Sequence, residues 1–91
     1  MVLHLGEAAY RQAVRLADRL RRAGIGTWLA FGERGLKSQL REASKRNIAY
    51  AIILGEEEVQ RGVAAVRDMA ASSQSEVPLL ELERWLSERR M

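Results

Sequence analysis

The run Ala49-Tyr50-Ala51-Ile52-Ile53-Leu54 carries no charge and stops at Gly55. A strand covered on both faces reads this way, without the alternation of a half-exposed one. Before it, Leu36, Leu40 and Ala43 recur at helical spacing, while Lys37, Arg41 and Lys45 recur every fourth residue on a different face. After it come Glu56, Glu57 and Glu58. Open α/β sheets place their working loops where a strand ends and the chain turns. A basic helix, a buried strand and an acidic turn are thus neighbours in sequence and expected neighbours in space.

The flanking segments extend the same alternation. Val2 to Leu5 is expected as a first strand ending at Gly6, and Glu7 to Ala23 as a helix with the apolar stripe Ala9, Ala13, Leu16, Ala17 and Leu20. Gly24 stops that helix, and Ile25 to Phe31 is expected as a second strand. The second helix spans Leu36 to Arg46, closed by Asn47, and Tyr50 to Leu54 is the third strand. A helical turn over Glu56 to Arg61, a break at Gly62, and a fourth strand from Val63 to Arg67 follow. Glu76-Val77 is expected as a stub of a fifth strand, and Pro78 as the start of a last helix bearing Leu79, Leu82, Trp85 and Leu86. Helices between the first strands predict right-handed crossovers, with the first three strands parallel and an antiparallel edge beyond. No linker, repeat or low-complexity segment divides residues 1–91, so one domain is expected.

Charge is unevenly placed. Residues 1–46 hold ten basic and four acidic residues, a net +6, and residues 47–91 hold five and eight, a net −3. This asymmetry fits an anionic partner on the basic side, and it also fits an ordinary soluble surface of both signs. No stretch is long and apolar enough for a membrane helix, and no secretory signal is visible, so a cytoplasmic protein is expected.

Catalytic groups are scarce. There is no cysteine, and His4 is the only histidine, lying within a predicted strand. The three adjacent glutamates point in different directions on any helix and do not form a spaced acid–base pair. Gly32-Glu33-Arg34-Gly35-Leu36-Lys37-Ser38 is superficially similar to a nucleotide-binding glycine loop but has too short a separation between glycines. No catalytic residue, metal site or cofactor is expected. A helix start near Gly35, with Arg34 and Lys37, is suited to a phosphate.

Several pieces, in order, resemble the C-terminal anticodon-binding domain of class II aminoacyl-tRNA synthetases, the histidyl enzymes above all. They are Gly35-Leu36-Lys37-Ser38-Gln39-Leu40 with Ala43, then Tyr50 through Glu58, Gly62, Val66-Arg67-Asp68-Met69 and Val77-Pro78-Leu79. The resemblance covers nearly the whole chain. It departs after the fourth predicted strand, where the family has Thr-Gly-Glu-Gln and this chain has Ala71-Ser72-Ser73-Gln74. It implies a three-layer α/β fold with a mixed five-stranded sheet and three main helices. It also implies binding of a tRNA anticodon stem and loop, with histidine tRNA as the first expectation and no DNA. ATP use and aminoacylation belong to a catalytic domain that this stretch does not contain, so the isolated chain is expected not to be an enzyme.

The expected RNA contacts are Arg34, Lys37, Gln39, Arg41, Glu56 and Arg67. Arg34, Lys37 and Arg41 are suited to phosphates, Gln39 and Arg67 to bases, and Glu56 to a base donor or to capping the turn after Gly55. Trp28, Phe31 and Tyr50 lie in or beside predicted strands and read as core. The competing reading is a protein-interaction or dimerisation module with the same fold. The catalytic domain of its own synthetase is a further expected neighbour.

Overall fold

The computed structural model describes residues 1–30 and 35–89. In chain order the elements are β1 (Val2–His4), α1 (Glu7–Arg22), α2 (Leu36–Lys45), β2 (Tyr50–Leu54), α3 (Glu56–Arg61), β3 (Val63–Asp68), β4 (Ser73–Pro78) and α4 (Leu82–Glu88). A 3-10 turn over Leu79–Glu81 leads into α4. The sheet order follows the chain, β1-β2-β3-β4. β1 and β2 are parallel, with Leu3 opposite Ile53, and the two later pairings are antiparallel, with Ile52 opposite Val66 and Arg67 opposite Gln74.

Strand alternation sends side chains to two separate cores. Val2, Ile52, Leu54, Ala64, Val66 and Val77 pack against the stripe Ala9, Ala13, Leu16, Ala17 and Leu20 of α1 and against Leu82 and Leu86 of α4. On the opposite face Leu3, Ala30, Ala51 and Ile53 are buried, with Leu36 and Leu40 of α2 against them. Arg19 ties α1 to the far end of the chain, pairing with Glu83 at 2.8 Å and donating to the Leu79 carbonyl.

Local chemistry sets the element ends. Gly6 precedes α1 at φ 94° and ψ 160°, a region open essentially to glycine alone. Asn47, at φ 54°, closes α2, and the Ile48 N–H returns to the Ala43 carbonyl at 3.0 Å. The β3–β4 hairpin is held by Asp68, whose Oδ1 accepts from the N–H groups of Ala70 and Ala71 at 3.1 Å each. This aspartate shapes the turn where the chain has Ala71-Ser72-Ser73-Gln74, of which only Gln74 matches the Thr-Gly-Glu-Gln of the family pattern.

The expected five-stranded sheet with three main helices is corrected. The described residues form a sheet of four strands and four α-helices, of which α3 is six residues long. The expected strand at Ile25–Phe31 reduces, over its described residues, to one parallel bridge of Leu29 to Val2. The Val2 N–H donates to the Trp28 carbonyl at 2.7 Å, and the Ala30 N–H to the Val2 carbonyl at 2.9 Å. Competing partners stop the ladder. The Ile25 N–H is drawn back to the Leu20 carbonyl, and Arg21 holds the Thr27 carbonyl through Nε and Nη2. The His4 ring nitrogen Nε2 sits 3.0 Å from the Ala30 carbonyl, which the His4 backbone would take in a continued strand. The expected stub at Glu76-Val77 is the end of β4. No helix of the described residues is long and apolar enough to cross a membrane.

Candidate nucleic-acid interface

α2 lies on the sheet with Gln39 and Ala43 fully buried and Leu36 and Leu40 half-buried. Lys37, Arg41 and Lys45 are exposed on its outer side. One flank turns toward the β1 edge, because Arg46 pairs with Glu42 at 3.1 Å and its guanidinium stands 4.2 Å over the Trp28 ring. At 100° per residue, Lys37 falls beyond Leu40 on the opposite flank, toward β3. Among the described residues Lys37, Arg41 and Arg67 enter no ion pair.

Beyond that flank the sheet opens into a shallow groove of about 410 Å³. Leu36 forms one wall, Ile53 and Ala65 the floor, and Gln74 and Glu76 the other wall. The register places Arg67 directly opposite Gln74, so both project on this face of the sheet. β4 is exposed from Ser73 to Glu76. Its polar sequence is explained by this position at the rim of the sheet.

The acidic residues are mostly engaged. The Gly55 N–H donates to Glu58 Oε1 at 2.9 Å and closes the start of α3, a role expected of Glu56. Glu56 instead lies over Gly6, where an added Cβ would stand 3.1 Å from its Oε1. Glu76 accepts from Arg61 Nη2 at 2.5 Å, and this hydrogen bond, with the attraction of the carboxylate, holds the Arg61 guanidinium above its ordinary pKa.

The expected contacts therefore separate. Lys37, Arg41 and Arg67 border the α2 side of the sheet, and Glu56 sits near the C-terminal ends of β1 and β2. Gln39 is 1% exposed, with its amide bonded to His4, so it is not presented as a base reader. Arg34 lies outside the described residues. Two residues that the residue-by-residue reading did not select also stand on these surfaces, Gln74 and Trp28. Gln74 is the one residue of its segment that matches the family pattern. Trp28, read as core, is 54% exposed.

A family described as an anticodon binding domain matches residues 1–89. The histidine–tRNA ligase of Dehalococcoides mccartyi (strain ATCC BAA-2266 / KCTC 15142 / 195) is 40% identical over 79 residues, which are 87% of this chain and 19% of the ligase. That of Desulforamulus reducens is 45% identical over 85 residues, 93% of this chain and 20% of the ligase. The solved histidyl-tRNA synthetase from Nostoc sp. PCC 7120 superposes with a TM-score of 0.92 at 24% identity, covering 99% of this chain and 22% of that one. At that identity the superposition speaks for the fold. The chain spans about a fifth of the length of the curated relatives it matches.

Proposed function

The chain belongs to the anticodon binding domain family, and from that membership we propose that it binds the anticodon stem and loop of a tRNA, histidine tRNA first among them, as a module of a histidyl-tRNA synthetase. The observation that carries the reading is the exposed basic side of α2 beside the open, polar face of β3 and β4. Lys37 and Arg41 take backbone phosphates, with Arg34 as a further phosphate contact before the helix. Arg67 and Gln74 lie side by side and meet base edges in the loop, where unpaired bases expose them. Glu56 accepts from a base amino group at the strand ends. Gln39 contributes from below, by holding α2 to β1.

Activation of the amino acid and its transfer to tRNA fall, on this reading, to the four-fifths of the relatives that this chain does not span. Tyr10 and Val14, exposed one turn apart on α1, offer an apolar surface on the side away from the groove. They favour a protein neighbour there, and the catalytic portion of the synthetase is the proposed one. The cytoplasm, where translation runs, is the compartment this reading fits.

The test is a titration of the chain with a histidine-tRNA anticodon stem-loop, the same stem-loop with altered anticodon bases, and an unrelated hairpin. Preference for the native anticodon supports the reading. Equal binding to all three reduces the function to general RNA affinity, and no binding at low salt favours a protein-interaction module.

A further inference from the structure

Trp28 and Ala30 share a face of the edge segment, and Ala30 is buried under α2. Trp28 therefore belongs to the α2 side of the molecule, beside the C-terminal end of that helix, where Arg46 covers one face of its ring. Trp28 is nevertheless 54% exposed. A tryptophan that only fastened α2 to the sheet edge would gain most by burying both faces.

The surroundings are basic. Lys45 is exposed in the last turn of α2, and Arg21 is fixed against the Thr27 carbonyl at 3.1 and 2.9 Å. Among the described residues Glu42 pairs with Arg46. The exposed stripe Lys37, Arg41, Lys45 runs about 12 Å along the helix, from the groove to this corner. An aromatic ring backed by a guanidinium, at the end of a row of cations, has the composition of a stacking platform for single-stranded nucleic acid.

We propose that Trp28 and Arg46 form a second nucleotide contact, on which one unpaired base of the bound RNA stacks while Lys45 and Arg21 meet its flanking phosphates. The contact rests on the RNA-binding reading and extends it past the groove. Arg46 backs the indole and the base takes the open face. A duplex, with its bases stacked on one another, offers no such base.

The experiment titrates the chain with the histidine-tRNA anticodon stem-loop by anisotropy, and follows tryptophan emission in a Trp85→Phe form where Trp28 is the only indole. Trp28→Ala is expected to weaken binding roughly 5- to 150-fold, the worth of one base–aromatic stack, and Trp28→Phe by less than about fivefold. Emission from Trp28 is expected to be quenched by the stem-loop and left unchanged by a blunt-ended RNA duplex without loops. Undiminished binding by folded Trp28→Ala, unchanged emission, or equal quenching by the duplex overturns the platform. If Trp28→Ala does not fold, Trp28→Phe and the emission measurement still decide. Lys37→Ala weakening RNA where Trp28→Ala does not would remove the platform and leave the groove reading standing. Absence of any RNA binding by the unaltered chain overturns both.

Discussion

The side-chain amide of Gln39 pairs with both backbone polar groups of His4. The His4 N–H donates to Oε1 at 2.9 Å, and Nε2 donates to the His4 carbonyl at 2.8 Å. On this edge of β1, Val2 bonds to residues 28 and 30, and His4, two residues on, bonds to a glutamine from the helix above. The amide stands where the next peptide of a strand would stand. It satisfies the edge and fixes α2 over the sheet at once.

Gln39→Leu leaves two buried backbone groups without their amide partner, so it is expected to cost about 2–5 kcal/mol. The urea midpoint measures this. RNA affinity should fall no further than the lost stability allows, because the loosened α2 must be stilled on binding. Lost affinity with unchanged stability would restore Gln39 as a reader of bases.

The cations of α2 and the arginine of β3 should separate in a titration. Lys37→Ala and Arg41→Ala are each expected to weaken all RNAs alike and to flatten the salt dependence by roughly 0.7–0.9 of a log unit per log salt. Arg67→Ala is expected to lose about 1–3 kcal/mol of discrimination between anticodons. A uniform loss from Arg67→Ala would make it another phosphate contact.

Gly6→Ala places a side chain at φ 94°. It is expected to destabilise the fold by about 1–3 kcal/mol. Gly26, with nothing near its missing Cβ and no positive φ, is the control, and Gly26→Ala should change stability by less than about 0.5 kcal/mol. Thermal melts of the two variants compare them directly.

Elements with a strong period were legible in the sequence. The stripe Ala9 to Leu20, the uncharged run of β2 and the stops at Gly24, Asn47 and Gly62 each carried their own physical signal. Ile25 to Ala30 misled because its apolar content suits a strand, whereas pairing was decided by Arg21, His4 and Leu20 from elsewhere in the chain. β4 was underread because its residues are polar, and only its hydrogen bonds to β3 make it a six-residue strand. Gln39 was read by its chemistry as a surface reader. Its phase, three residues after Leu36 and four before Ala43, already put it on the buried stripe. For the site, charge marked Lys37 and Arg41, while the groove depends on which part of the sheet α2 leaves uncovered, a matter of tertiary placement.

The two cores are unequal, and the smaller one lies beneath α2. α1 is anchored by buried side chains from Ala9 to Leu20, whereas α2 is held by Leu36, Leu40, Ala43 and the Gln39 amide. The helix that carries the basic stripe is then the one most ready for sub-global opening, and its amides should exchange with solvent before those of α1. Any ligand spanning Lys37 to Lys45 must also meet the entropic cost of stilling that helix. A substitution that fastens α2 more tightly to the sheet should therefore tighten RNA binding without touching the RNA.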